Sequence, residues 1–600
     1  MDTIHGIKID LTRDSLFDEL GLKRLKESYM REDETSPQER FAYVSKSFGT
    51  NEEHSQRLYE YSSKHWLSYS TPILSFGRSK RGLPISCFLP YLHDSAEGLV
   101  DCLAEVNWLS MLGGGVGIGI GIRSADDKSV GVMPHLRTYD ASSLAYRQGR
   151  TRRGSYAAYL DISHPDILIF LEMRKPTGDQ NMRCLNLHHG INITDDFMHI
   201  IEKCMLDPHF DDTWELKDPH NGDVRDTVPA RELWQRILEM RMQTGEPYLH
   251  FIDTSNRMMP EFQKKLGLSI KQSNLCSEII LPTDKDRTAV CCLSSVNLEY
   301  YDEWKNNELF LRDTAEMLDN VLQYFIDNAP EPVARAKYSA MRERSIGIGA
   351  LGFHAYLQRN NIPWESAMAV GRNKQMFQHI KNKLDEANLQ LGSERGEAPD
   401  AVGTGKRFSH VMAIAPNASS SILMGNTSPS IEPYRANAYR QDTLSGAYLN
   451  KNKYLDKIIR EKLQLEEGMD SGKYADIWSS IIANDGSVQH LDWMSDWDKD
   501  VFKTGMEIDQ RWVVQHAADR QEYIDQAQSL NVFFRPDVNV KYLHAVHFQA
   551  WKQGLKTMYY CRSEKLAKAD KVSKRIERHV IEEIDMKQLA SEEVCLACEG

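Results

Sequence analysis

This chain lacks any run of apolar residues approaching the ~20 that a membrane-crossing helix needs, and its first residues, MDTIHGIKIDLTRD, hold no apolar signal core. It is therefore read as a cytoplasmic protein. Positive charge is also short: 73 Lys and Arg stand against 86 Asp and Glu, a formal net charge of -13. Such a surface argues against broad wrapping of nucleic acid, which requires a positive face to neutralise phosphates, and no nucleic-acid or membrane partner is expected. Cysteine is sparse, 10 in 600 residues, too few for the disulfide framework of a small secreted domain. Cys102, Cys184 and Cys204 read as small buried hydrophobes. Cys595 and Cys598 do not, because they stand at the very end of the chain, where little can bury them. With 41% hydrophobic and 26% charged residues, the length suits a multilayered globular protein.

What is present is an alternation of helical and strand patterns without internal repeats, which favours an α/β architecture. Residues 1–70 are charged and helical in pattern. From Thr71 the texture changes: TPILSFG and LPISCFLPYL read as short strands, and MLGGGVGIGIGIR as a glycine-rich loop entering a strand. RELWQRILEMRMQTGEP reads as a helix with Leu233, Ile237 and Met240 on one face, stopped by Gly245 and Pro247. SNLCSEIILP and AVCCLSSVNL read as strands. VKYLHAVHFQAWKQG is a helix with Leu543, Val546 and Ala550 on one stripe, ended at Gly554 and leading into a strand, LKTMYYC. Residues 426–538 read as peripheral helices and loops without site chemistry. The charged last thirty residues read as a mobile tail.

GIGALG, with Gly347, Gly349 and Gly352, matches the dinucleotide fingerprint formally. A polar turn follows in place of a βαβ unit, so it is read as a tight strand-to-helix junction. Gly113 to Gly121 could let backbone approach a phosphate or sugar. Asn274-Leu275-Cys276-Ser277-Glu278 carries the most chemistry. In a strand, positions 274, 276 and 278 would share a face, aligning an amide, a thiol and a carboxylate within the apolar surroundings of Ile279, Ile280 and Leu281.

NLCSE resembles the finger-loop motif of ribonucleotide reductase catalytic subunits. Further segments match that family in order: Thr71-Pro72-Ile73, Ser86-Cys87, QGRTRRGSYAAYL at 148–160, Cys291 with LSSVNL, PNASSSI at 416–422, Tyr559-Tyr560 and the terminal CLAC. The resemblance runs from about residue 35 to the last residue. It implies a ten-stranded α/β barrel of two antiparallel five-stranded halves, with the finger loop threading its centre. A small helical domain (1–70) would precede the barrel domain (71–575), and a redox-active tail (576–600) would follow.

The resemblance also implies the chemistry. A thiyl radical on Cys276 would abstract the ribose 3′-hydrogen, Glu278 would take the 3′-OH proton as general base, and Asn274 would hold the hydroxyls. Cys87 and Cys291 would supply two electrons by closing a disulfide, and one of them would protonate the departing 2′-hydroxyl. Cys291 and Cys292 would point to opposite faces of a strand, so only one can meet Cys87; the family pattern of Cys, one variable residue and Leu-Ser selects Cys291. Cys595 and Cys598 would relay electrons from thioredoxin or glutaredoxin. Half a zinc site, the other reading of CLAC, would want a second Cys or His pair, and the nearest candidate, His579, is alone. Tyr559 and Tyr560 resemble the paired tyrosines that relay an oxidising equivalent from a separate radical-generating, di-iron small subunit with a tyrosyl radical. No metal or cofactor is then expected in this chain.

Substrate contacts carried over by resemblance are Thr71, Ser86, Gly115, Pro416, Asn417, Ala418, Ser419 and Ser420, with the 416–422 stretch cradling a diphosphate at a helix N-terminus. Asp94, Ser95 and Arg123 resemble a site for a nucleoside triphosphate specificity effector, and Gln148, Gly149, Arg150, Arg152, Arg153 and Gly154 a specificity loop. The arginines of that loop are denser than in some relatives. No segment corresponds to the N-terminal ATP cone found in many large subunits, so the dATP off-switch is expected to be missing. The resulting expectation is a homodimeric ribonucleoside-diphosphate reductase. Two rivals are a cobalamin-dependent class II enzyme, which needs no tyrosine relay, and a nucleotide-binding paralogue without activity, disfavoured by the intact set of Cys87, Cys276, Cys291, Asn274 and Glu278.

Overall fold

The computed structural model describes residues 2–79, 82–146, 154–443, 446–466 and 468–563. A hairpin of Asp2–Ile4 and Ile7–Ile9 opens the chain, and three helices follow, Glu19–Ser28, Pro37–Phe48 and Glu52–Ser63. Each starts where a side chain can satisfy an otherwise unpaired backbone N–H: Asp18 accepts from Gly21, Ser36 from Gln38 and Asn51 from His54. Pro37, the first helical residue of its helix, has no N–H to satisfy. The same logic corrects the reading of TPIL. Thr71–Leu74 is a helical turn rather than a strand, with Pro72 in its first turn. The strand of this region lies just before it, where Leu67–Tyr69 pairs antiparallel with residues 294–296.

The barrel is built from two parallel halves. Strands Cys87–Leu89, Gly115–Ile120, Tyr156–Asp161, Leu187–Ile193 and Tyr248–Phe251 form the first. The second begins with Ala289–Asn297 and Ile346–Leu351. It continues through single bridges, Ile348 to Met412 and Ile414 to Gln528, and the Tyr559 N–H then bonds to the Leu530 carbonyl. The halves meet antiparallel at both seams, Cys291 opposite Cys87 and Leu249 opposite Met558. The central strands are continuous apolar runs because helices cover the outside while side chains fill the inside. Alternation sorts the two faces. Cys87, Leu89, Ala157, Tyr159, Cys291 and Leu293 belong to an inner cluster, whereas Phe88, Ala158, Leu160, Val290 and Cys292 join the outer core.

Residues 270–283 thread this interior, and glycines of the Gly115–Ile120 strand make room for them. A Cβ on Gly117 would stand 2.5 Å from the Ser273 carbonyl oxygen and 2.6 Å from the Asn274 Cα, and one on Gly119 would meet the Gln272 side chain at 2.6 Å. These two glycines thus face the threaded loop. Gly117→Ala is expected to destabilise the fold by ~1–3 kcal/mol, because the opposing atoms are backbone and cannot rotate aside. Denaturant unfolding, with Gly371→Ala as a control in open space, checks it; equal stability of the two variants would contradict the close packing.

GIGALG is the expected junction: strand Ile346–Leu351, Gly352 left-handed at φ 80°, then helix Phe353–Arg359. The helices read around Leu233 and Leu543 span Ala230–Thr244 and Val540–Lys552. Within 426–538, the hairpin Ala438–Thr443 with Gly446–Lys451 and the helices Lys453–Leu463 and Gly472–Ala483 are peripheral, with a small core around Leu455, Ile459 and Trp478. The end of that stretch is not peripheral: residues 526–530 enter the barrel wall. Among the described residues, no helix is long and apolar enough to cross a membrane.

Candidate active site

The 274–278 segment is a turn, which corrects the strand reading. Ser277 is left-handed at φ 68° and its N–H bonds to the Asn274 carbonyl at 3.3 Å. Both ends of the turn are fastened to the barrel wall. The Tyr159 hydroxyl donates to the Asn274 carbonyl at 2.6 Å, Thr557 Oγ1 to the Ser277 carbonyl at 2.7 Å, and the Ala527 N–H to the Glu278 carbonyl at 2.9 Å. Asn274 also ties the turn internally, its Oδ1 accepting from the Ile279 N–H at 3.1 Å. That bond orients its Nδ2 toward Cys87 Sγ, 3.4 Å away.

Asn274, Cys276, Glu278, Cys87 and Cys291 converge at the barrel centre with no side-chain exposure to solvent. The Cys87 thiol reaches Glu278 Oε1 at 3.9 Å, and Ser529 Oγ lies 3.0 Å from Glu278 Oε2 and 2.5 Å from the Cys276 carbonyl. Cys87 and Cys291 are directly opposed across the antiparallel seam, and both are reduced thiols. Cys292, its side chain on the other face, donates to the Leu318 carbonyl at 3.4 Å. Gln526 Nε2 is 3.5 Å from Cys291 Sγ. Burial, then the neighbouring Cys292, pushes the Cys291 thiol well above the ordinary range, so it stays protonated at neutral pH.

The Tyr559 hydroxyl donates to Cys276 Sγ at 3.4 Å. Its ring lies 4.3 Å from that of Tyr560 and 4.8 Å from that of Tyr248, centroid to centroid. The strand pattern breaks at these tyrosines, between Thr557–Met558 and Cys561–Ser563. Burial, then the charge of a thiolate at Cys276, would push the Tyr559 phenol far up, so it remains protonated.

Other expected residues are placed as follows. Gly115 N–H bonds to the Ser86 carbonyl at 2.8 Å, beside the thiol pair. Thr71 Oγ1 lies 3.5 Å from the Tyr29 hydroxyl. Pro416 is buried, and Asn417 is left-handed at φ 56° ahead of the short helix Ala418–Leu423. The Asn417 amide is held by Ser295 and the Ala350 carbonyl, and Arg24 donates to Ser419 Oγ at 2.6 Å; Ser420 is buried in the same turn. Asp94 and Arg123 are 3.6 Å apart, and Ser95 caps the helix Ala96–Met111. Gly154 is packed against Ser110 and Ser143. Gln148, Gly149, Arg150, Arg152 and Arg153, and the tail thiols Cys595 and Cys598, lie outside the described residues.

Reading the sequence missed Tyr159, Tyr248, Gln526, Thr557 and Ser529. Single polar residues in apolar strands carried no local signal, except that Tyr248 directly follows the helix stop Gly245-Glu246-Pro247. Among the described residues one buried trio has metal-ligand composition, His54, Asp313 and Glu316. Its carboxylates already face Arg57, Arg312 and Arg395 at 2.7–3.2 Å, so it is an ion-pair cluster.

The chain matches two family descriptions, "Ribonucleotide reductase, all-alpha domain" over 15–82 and "Ribonucleotide reductase, barrel domain" over 85–403 and 399–561. It is 54% identical to the ribonucleoside-diphosphate reductase large subunit of Invertebrate iridescent virus 3, across 99% of this chain and 100% of that one. It is 31% identical to the large subunit of Caenorhabditis elegans, across 98% and 82%. The solved class Id ribonucleotide reductase alpha subunit of Actinobacillus ureae superposes with a TM-score of 0.80 at 34% identity, covering 92% of this chain and 98% of that one.

Proposed function

The chain belongs to the ribonucleotide reductase large-subunit family, and from that premise we propose how its residues reduce ribonucleoside diphosphates to deoxyribonucleotides. The observation that carries the reading is the contact of the Tyr559 hydroxyl with Cys276 Sγ, inside a barrel where Cys87 and Cys291 face each other. A radical arriving on Tyr559 takes the hydrogen atom of the Cys276 thiol, leaving a thiyl radical, and that radical abstracts the 3′-hydrogen of the ribose. Glu278 removes the 3′-OH proton while Asn274 holds the hydroxyls. The 2′-hydroxyl departs as water with a proton from Cys87 or Cys291. The same two thiols then give two electrons and close a disulfide across the seam. The return of the 3′-hydrogen restores the Cys276 radical, and Tyr559 is re-oxidised as the equivalent retreats. Ser529 and Gln526 position Glu278 and Cys291, and the closed barrel keeps water from the radicals.

The 416–420 turn cradles the substrate diphosphate, flanked by Thr71, Ser86 and Gly115. Asp94, Ser95 and Arg123 take a nucleoside triphosphate effector, whose identity reaches the base pocket through the 148–154 loop. The radical is generated in a separate small subunit, with a di-iron tyrosyl centre, and the working form is a cytoplasmic homodimer. Thioredoxin or glutaredoxin reduces Cys595 and Cys598, which reduce the buried disulfide in turn.

The test is formation of deoxycytidine diphosphate by this chain mixed with a cognate small subunit, without cobalamin. Replacing both Cys595 and Cys598 by Ser is expected to stop turnover driven by thioredoxin or glutaredoxin. A pre-reduced enzyme should still give one burst, because Cys87 and Cys291 hold two electrons. Rapid-quench counting of product checks it; a missing burst would place the tail thiols in the chemical step.

A further inference from the structure

Tyr560 is bordered by a buried acid to which the mechanism above gives no task. Glu246, 1% exposed, follows the helix Ala230–Thr244. Its Oε2 meets the His189 N–H and Nδ1, each at 3.1 Å, and Arg174 Nε at 3.2 Å. Those contacts suffice to hold a structural carboxylate. Its other oxygen turns to the tyrosines instead: Oε1 lies 2.5 Å from His188 Nδ1 and accepts from the Tyr248 hydroxyl at 3.5 Å. His188 Nδ1 is in turn 3.4 Å from the Tyr560 hydroxyl. The His188 ring stacks on Tyr248 at 6.3 Å and 19°, and Tyr248 meets Tyr560 edge-on at 5.1 Å.

Two features make a proton acceptor necessary at Tyr560. The Arg562 guanidinium lies 4.2 Å from the centre of its ring, and a cation there opposes any loss of an electron that leaves the ring positive. Burial, then the charge of Glu246, raises the Tyr560 phenol far above its ordinary value, so it cannot shed its proton beforehand. The proton must therefore leave with the electron. Glu246 is the ionised group beside it: burial acts against its ionised form, but Arg174 and His188 outweigh that and hold it well below the usual carboxylate range. The titratable and charged groups around it include Tyr248, Tyr560, His188, His189, Arg174 and Arg241.

We propose that the His188–Glu246 pair is the proton acceptor of the radical relay at Tyr560. The inference rests on reading Tyr560 as the outer relay tyrosine. The phenolic O–H bond breaks, and the electron goes to the tyrosyl-type oxidant of the radical-generating subunit. As the phenolic O–H bond breaks, the proton that His188 Nδ1 shares with Oε1 passes to Glu246 and Nδ1 takes up the phenolic proton. One carboxylate charge is thereby neutralised, and Tyr560 is left as a neutral phenoxyl radical. Tyr559 then gives that radical a hydrogen atom, which restores the Tyr560 phenol. The pair keeps its proton until the equivalent retreats, when an electron from the radical-generating subunit reduces the Tyr560 radical and the proton returns to its oxygen. No atom or electron is gained by the pair over the cycle.

The experiment uses the full chain with its cognate radical-generating subunit. His188→Phe keeps a ring against Tyr248 and removes the acceptor nitrogen; Glu246→Gln keeps the shape and removes the charge. Each is expected to lower kcat by about a hundredfold, the scale of a lost proton acceptor, with KM for cytidine diphosphate within about twofold. In the His188→Phe background, a polyfluorinated tyrosine at 560, assayed at a pH where that phenol is ionised, has no proton to lose. It is expected to bring kcat to within about threefold of the same replacement in the otherwise unaltered chain. Near-normal kcat in folded His188→Phe, or a defect that the ionised phenol leaves unrelieved, overturns the proposal. His188→Phe carries the test even if Glu246→Gln fails to fold, because His188 is partly exposed and holds fewer partners. Turnover by Tyr560→Phe would instead sink the relay reading itself.

Discussion

Cys276→Ser is expected to reduce deoxynucleotide formation to background, a loss of more than about four orders of magnitude in kcat, or roughly 5 kcal/mol of barrier. The hydroxyl fits the space of the thiol and can accept the hydrogen bond that Tyr559 gives to Sγ. The O–H bond, however, is too strong for Tyr559 to take its hydrogen atom, so no radical reaches the ribose. The turn itself is held by Tyr159, Thr557, Ala527 and the Asn274 side chain rather than by the thiol. The variant should therefore unfold at nearly the same temperature and bind the specificity effector within a few-fold. Assay with the small subunit, beside effector titration, checks both halves. Repeated turnover by the Ser variant would falsify the radical role of Cys276.

Tyr559→Phe should be equally severe, for a different reason. The ring would still pack against Tyr248 and Tyr560, and the lost hydrogen bond to sulfur is worth only about 1 kcal/mol of stability. Fold and substrate affinity should survive. The variant has no O–H to oxidise, so the oxidising equivalent cannot pass through this ring to the Cys276 thiol. The expected result is a kcat at background with KM changed by less than about twofold, the pattern of a step lost after binding. Tyr560→Phe should behave alike. Near-normal activity in both variants would mean the radical does not travel through these rings.

Local pattern carried much of the architecture. Amphipathic periodicity with a glycine and a proline stop is enough to specify Ala230–Thr244, because a helix needs only neighbours three and four residues away. The motif Asn274 to Glu278 is legible as chemistry from residue types alone, and strand alternation by itself puts Cys291 and Cys292 on opposite faces. Alternation also explains the limits. It assigned 274–278 to a strand, but a strand would present Asn274, Cys276 and Glu278 in a flat row. The barrel interior instead ties the segment to Tyr159, Thr557 and Ala527, and that anchoring supports a left-handed Ser277. TPIL reads as a strand because its four apolar-leaning residues fit either period, whereas Pro72, with no N–H to satisfy, suits the first turn of the helix it forms. Ser529, Gln526 and Glu246 were invisible for a more general reason. Each acts on residues between 58 and 253 positions away, so their partners are set by barrel closure, and nothing within a short window of sequence distinguishes them from ordinary buried polar side chains.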